Sequence, residues 1–394
     1  FNACRHSCYI RVMQEKIDSY SKVKIRTVFL VASIFTLVLT RCTTDVDLTA
    51  PYVSIPVVFG LLDAEADTQW VSINRTWLSE GDQTQIALIS DSSEYENSRL
   101  SAHFVEIVNG IDVRVIELQD TLLQNKDQNG VFFAPEHKAY YADTRLSEAL
   151  NPDATYRLEL VIDDTTEVKA ETNMISVALG NIQQPPAGLD NIKLNLANVG
   201  PSQITYPDYT FKWMSTKGAS RYDAVLLVHF IEHYWADDFH TVLDSSRART
   251  IEIPIGTVDP ADDEGGLELV KVFDGETFYT TLETRLEKNI RITRELGVWD
   301  VEDQIARAID FVLIVANEQL AIYLDVNAPV TGIIQERPEY SNINGGLGLW
   351  ASRTTQKVIG LGYTTDTIEH LQEGDDTAEL NFCTPNPFSD YTCQ

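Results

Sequence analysis

Apolar and polar residues alternate with a period of two along much of the chain after residue 50, and this pattern predicts strands. The clearest run is Tyr156–Ile162, where Tyr156, Leu158, Leu160 and Ile162 fall on one face and Arg157 and Glu159 on the other. Val53–Leu62 is rich in β-branched residues, and Trp70–Trp77 alternates. Leu100–Val108 and Val113–Leu118 flank Asn109 and Gly110, a pair suited to a tight hairpin turn. Asp163 and Asp164 turn the chain into Glu167–Thr172, while Gln83–Glu96 reads as a short helix or an irregular excursion. Short strands without a long 3.6-residue period predict a β-sandwich over residues 52–182.

Gln183–Gly188 is rich in Pro and Gly, so residues 183–202 read as a linker. A second series of strands is expected over 203–394: Tyr209–Met214, Tyr222–Trp235, Arg249–Ile255, Leu267–Phe273, Asp310–Val315, Leu347–Ser352 and Val358–Tyr363. Two helices interrupt it. Thr277–Lys288 places Phe278, Leu282 and Leu286 at helical spacing behind a Thr277 cap, and Asn317–Val326 follows the most apolar strand. The expectation is a mainly β protein of two sandwich domains, immunoglobulin- or fibronectin-like, the second with short helical insertions.

One stretch carries a different pattern. Lys22, Lys24 and Arg26 precede the apolar run Thr27–Leu39, which ends at Thr40, Arg41 and Cys42. As a helix the run reaches roughly 20 Å, short of the ~30 Å hydrocarbon layer. A basic start, a compact apolar core and a closing cysteine read as a lipoprotein signal, with Cys42 the lipidated first residue of the mature chain. Arg41 stands where a small residue usually precedes that cysteine. Ordinary cleavage and an uncleaved anchor are the alternatives. Phe1–Val12, with Cys4 and Cys8, reads as upstream translated frame, Met13 opening the signal; residues 42–51 then form a polar tether.

Composition narrows the partners. The chain is 44% hydrophobic and 9% aromatic, enough to bury cores, and its net charge is −29. Such a surface repels nucleic-acid phosphate and anionic headgroups, so attachment to a membrane falls to the lipid. Cys383 and Cys393 flank a turn-forming segment with two prolines and have no histidine nearby, which favours a disulfide over a metal site in an exported chain.

Candidate chemistry is sparse. His229–His233 matches His-x-x-Glu-His, but zinc peptidases need that motif on a helix. Here it ends an alternating run that reads as strand, which sets the imidazoles roughly 13 Å apart at their backbones, too far for one zinc ion. Asp259–Gly266 is acidic without the residue order of a calcium loop, and Gly345–Gly348 lacks the Lys and Ser/Thr of a phosphate loop. Those glycines read better as places where two backbones approach closely. No metal, cofactor or catalytic residue is expected. The remaining binding candidates are aromatic: Tyr206 and Tyr209, in a cluster with Phe211 and Trp213, and the strand-end pair Tyr234 and Trp235, beside Asp237 and Asp238. Core packing is the competing reading for all of them.

Five stretches, Cys42–Asp47, Ile55–Asp63, Ala154–Leu160, Ala170–Thr172 and Tyr340–Trp350, together resemble a family of exported Bacteroidota lipoproteins defined by a domain of unknown function. Members are often encoded beside TonB-dependent outer-membrane receptors. The resemblance implies a location and a β-barrel partner, and no chemistry. The expected function is a non-enzymatic binding or accessory subunit of a TonB-dependent transporter, lipid-anchored at the outer membrane. The acids Asp45 and Asp47 resemble surface-export signals and point to the outer face, with a periplasm-facing protein as the alternative. A structural or assembly component of an envelope complex is the second functional reading, and an exported hydrolase the third.

Overall fold

A computed structural model describes residues 54–78, 82–145, 149–189, 191–300, 305–329, 339–385 and 393. The leader, Cys42 and the tether lie outside them. No helix among the described residues is long and apolar enough to cross a membrane. The protein is mainly β, as the alternation predicts.

Eight strands come first: β1 (Pro56–Leu62), β2 (Thr68–Arg75), β3 (Leu100–Val108), β4 (Ile111–Glu117), β5 (Gln119–Leu123), β6 (His137–Asp143), β7 (Thr155–Ile162) and β8 (Thr166–Asn173). The ambiguous stretch after β2 holds two short helices, α1 (Gln83–Ala87) and α2 (Ser90–Ser93). Asn109 and Gly110 both take positive φ, 53° and 77°, so the β3–β4 hairpin turns where the sequence places it. β4, β3, β7 and β8 make one antiparallel sheet in that order. Its inner residues Phe104, Tyr156, Leu158, Leu160 and Val168 meet Val58, Leu62, Val71 and Ile73 of β1 and β2, which closes a two-layer core.

The second series begins with β9 (Ile182–Gln184), β10 (Lys193–Leu194), β11 (Asn198–Val199) and β12 (Ile204–Thr205). The segment 183–202, read as a linker, thus includes short paired strands. Leu194, Leu196 and Ala197 are fully buried in the second core, because small and apolar residues follow the Pro/Gly break. Then come β13 (Tyr209–Met214), β14 (Ala219–Trp235), β15 (Leu243–Val258), β16 (Glu268–Phe273), β17 (Ile292–Leu296), β18 (Val298–Asp300), β19 (Ile305–Arg307), β20 (Ile309–Asn317), β21 (Leu347–Tyr363) and β22 (Phe382–Cys383). Three helices intervene. α3 (Gly275–Arg285) is capped by the Asp274 side chain, three residues before the expected Thr277 cap. α4 (Glu318–Asn327) is capped by Asn317, and α5 (Thr365–Glu373) by Thr364.

The largest sheet runs β22-β17-β14-β20-β21-β1-β2-β6-β5, with β15 and β10 pairing β14 and β21 from the side. β21 is the strand that joins the halves. Its first part, Leu347–Ser352, pairs in parallel with β1, and its second part pairs antiparallel with β20. Consequently Trp350, far along the chain, belongs to the first core: its ring lies 5.7 Å from that of Phe104 and its Nε1 donates to the Tyr156 carbonyl at 2.9 Å. Gly348 makes this approach feasible. It sits at φ +117°, and a Cβ there would collide with the carbonyl oxygen of Val58. The close backbone approach expected of Gly345–Gly348 is what the structure contains.

The second core lies between the sheet β16-β13-β9, helices α3 and α5, and the inner faces of β14, β20 and β21. Phe211, Trp213, Tyr222, Phe230 and Phe311 are fully buried there.

Candidate binding site

The His-x-x-Glu-His segment lies on β14, so its side chains alternate between two faces. His229 and His233 point away from the second core. His229 Nδ1 meets Thr250 Oγ1 at 2.9 Å and its Nε2 meets Asp310 Oδ2 at 3.1 Å. His233 repeats the arrangement four residues on, with Ser246 Oγ at 2.8 Å and Glu295 Oε2 at 3.2 Å. Cross-strand register produces both sets, since His229 lies opposite Thr250 and His233 opposite Ser246. The two imidazoles serve different carboxylates, and among the described residues no group of His, Cys, Asp and Glu has metal-binding geometry.

Glu232 points inward and is 1% exposed. Its Oε1 accepts from Arg294 Nε at 3.1 Å and Arg249 Nη1 at 2.9 Å, and its Oε2 accepts from the Tyr234 hydroxyl at 2.7 Å. Burial alone would push this carboxyl up, but the bonds from Tyr234 and Arg249 and the Arg294 charge outweigh it and hold it below the ordinary value. Arg294 is fully buried, and burial pulls its guanidinium down against the pull of Glu232. Arg294 also donates to the carbonyls of Leu380 at 2.7 Å and Glu287 at 3.0 Å. It thereby ties β17 to the end of α3 and to the chain entering β22.

Because neighbours on a strand face opposite ways, Tyr234 joins the Glu232 network while Trp235 turns toward a cleft. Trp235 Nε1 donates to Thr293 Oγ1 at 2.9 Å, and its ring lies 5.3 Å from that of His240 at 33°. These two rings, with His233, Glu295, Asn381 and the Cys383–Cys393 disulfide, line a cleft of about 820 Å³. The disulfide forms as the cysteine spacing predicts. Of the Ser246, His233 and Glu295 set, His233 and Glu295 line this cleft.

At the mouth of the cleft the β14–β15 hairpin ends in an apolar tip. Phe239 is 88% exposed, with Val242, Leu243 and Ile290 also at least half exposed. Asp237 holds the loop. One of its oxygens accepts from the Phe239 amide at 2.8 Å, and the other from the Thr241 hydroxyl at 2.8 Å and the Val242 amide at 2.9 Å. The Thr241 hydroxyl bond, with the amides behind it, lowers the Asp237 carboxyl to about 2. Asp238 pairs with Arg291 at 2.6 Å, and His240 Nε2 meets the Ile290 carbonyl at 2.5 Å. The sequence carried a signal for this tip that alternation alone passes over: a large aromatic residue inside an Asp-rich turn.

Tyr206 and Tyr209 lie elsewhere. The Tyr206 hydroxyl meets His370 Nε2 at 2.8 Å, beside the Tyr279 ring. Tyr209 packs its ring 4.8 Å from that of Phe211. The four aromatic candidates therefore form no single surface; Trp235 alone lines the cleft, and Phe239 is the exposed aromatic that alternation missed. Cys42 lies outside the described residues. Compared with models of known protein families and with curated protein sequences, the chain matches none.

Proposed function

We propose that the protein is a lipid-anchored, non-enzymatic binding subunit that works beside a TonB-dependent transporter at the outer membrane. The observation that supports binding is the hairpin tip, where a fixed turn holds Phe239, Val242 and Leu243 in water, with exposed Ile290 on the loop that His240 contacts. An apolar cluster on a rigid support loses little conformational freedom on docking, and such clusters are typical of protein contacts. Attachment through Cys42 rests on the signal-like stretch before it, the outward orientation on Asp45 and Asp47, and the β-barrel partner on the family resemblance. A lipid tether would keep the docking surface near the barrel mouth and raise its effective concentration there.

Affinity purification from detergent-solubilised outer membranes tests the proposal. The intact protein is expected to bring a β-barrel receptor with it, and Phe239→Ser to lose that partner while keeping its circular dichroism spectrum. Recovery of the intact protein with no β-barrel partner overturns the transporter reading. A deletion strain that leaks envelope contents yet retains nutrient uptake would support an assembly component instead.

A further inference from the structure

A second cavity lies on the other half of the large sheet, on the outer face of β1, β2 and β6. On β1 that face carries Val57, Phe59 and Leu61, and Leu61 packs against Leu320 of α4 and Leu349. The outward row of β2 is Thr68, Trp70, Ser72 and Asn74, in which Trp70 is the one apolar member and is 46% exposed. On β1 the outward Phe59 is 41% exposed, its ring 6.0 Å from Tyr323 of α4. Trp70 leans on Tyr141 of β6 at 5.5 Å. Leu123, Leu324 and Leu349 extend the apolar lining, and the groove between the sheet and α4 encloses about 660 Å³. This is the size and character of a small-molecule site, and too small a recess for a folded partner.

One end of the groove is charged. Arg353 lines it; its guanidinium makes no hydrogen bond among the described residues and acts through its charge on Asp63, against the burial that raises that carboxyl. The other charged groups near it are engaged. Asp63 Oδ1 accepts from the Glu65 amide at 3.0 Å, Glu65 Oε1 accepts from Gln356 at 2.5 Å, and Lys138 donates to the Tyr95 carbonyl at 2.6 Å and to Asn97 at 2.8 Å. A guanidinium beside an apolar channel, with no hydrogen-bond acceptor among the described residues, matches a planar carboxylate on a hydrocarbon tail. Asp63 beside it disfavours a head with more than one negative charge.

We propose that this groove binds a long-chain monocarboxylate, the tail lying over Phe59 and Trp70 against α4 and the carboxylate on Arg353. The site is separate from the hairpin tip, so it stands or falls independently of the transporter reading. Titrating the whole chain with hexadecanoate below its aggregation threshold, and following tryptophan emission and heat, should give saturable one-to-one binding. Phe59→Ser and Leu324→Ser should each weaken it by about tenfold or more. Both side chains are partly exposed, so the fold should survive, which circular dichroism checks. Arg353→Gln should weaken hexadecanoate by about tenfold and leave hexadecanol within about twofold, while Arg353→Lys should recover part of the loss. Absence of saturable binding, equal binding of acid and alcohol by the intact protein, or indifference to Phe59→Ser would each overturn the proposal.

Discussion

Arg294→Leu is the substitution that probes the second half of the molecule most directly. Arg294 is wholly buried and satisfies three acceptors, Glu232 Oε1 and the carbonyls of Leu380 and Glu287. Its loss leaves Glu232 inside the protein with Arg249 and Tyr234 as its remaining partners and strips two carbonyls of a donor. Removing one member of a buried ion pair costs about 3–5 kcal/mol, and each buried carbonyl left without a donor is worth about 1–3 kcal/mol within that loss. At a slope of about 3 kcal/mol per molar urea, the midpoint of unfolding should fall by about 1–1.7 M. Replacing both charges, Glu232→Leu with Arg294→Leu, should cost less than the two single changes together, with a coupling of about 1–3 kcal/mol. Acid gives a second readout. The Glu232 carboxyl is held below its ordinary value in the fold, so its contribution is present above the unfolded-chain value and is lost as pH falls through the folded value. The stability gap between the intact protein and Glu232→Gln should therefore be full at neutral pH and shrink on acidification below about 4.3. An Arg294→Leu protein within about 1 kcal/mol of the parent, or strictly additive single losses, would refute the reasoning.

Three further outcomes follow from the geometry. Trp350→Ala should destabilise by about 3–5 kcal/mol on chemical unfolding, and Gly348→Ala should lower the thermal midpoint as well, because both loosen the parallel β1–β21 pairing that closes the first core. Cys383→Ser combined with Cys393→Ser should cost about 2–3 kcal/mol by loop entropy. A thiol reductant should then reproduce that loss in the parent and have no effect on the double variant. Cys42→Ala should move the protein from the membrane pellet to the soluble fraction with its fold intact, since acyl chains at ~0.8 kcal/mol per buried methylene would no longer hold it. Retention through high salt and a carbonate wash would defeat the lipoprotein reading.

Local pattern determined a large share of the strands. Tyr156–Ile162 buries the four residues that its alternation selects, and Asn109 with Gly110 turns the hairpin, because side-chain period and backbone freedom are properties of a few neighbouring residues. The same logic placed His229 and His233 on a strand, the α3 and α4 helices near their positions, and the cysteine pair in a disulfide. α5 escaped notice because Thr365–Glu373 is short and polar, and its stability comes from packing His370 and Leu371 into the second core.

Only the tertiary structure decided what lies between the halves. The parallel pairing of Val57–Leu62 with Leu347–Ser352 joins strands from opposite ends of the described chain, and no local periodicity encodes which edge a strand will find. The segment after Gln183 reads as a linker from its prolines, and within it Leu194, Leu196 and Ala197 are buried because the second core offers them a place. Glu232 read as one letter of a metal motif until Arg294, distant in sequence, met it inside the protein. Both cavities arise in the same way: an aromatic residue on an outward row becomes a cleft wall or a groove floor only when another element comes to rest beside it. Contacts between distant segments depend on the sum of packing over the whole chain, and that sum is absent from any short window of sequence.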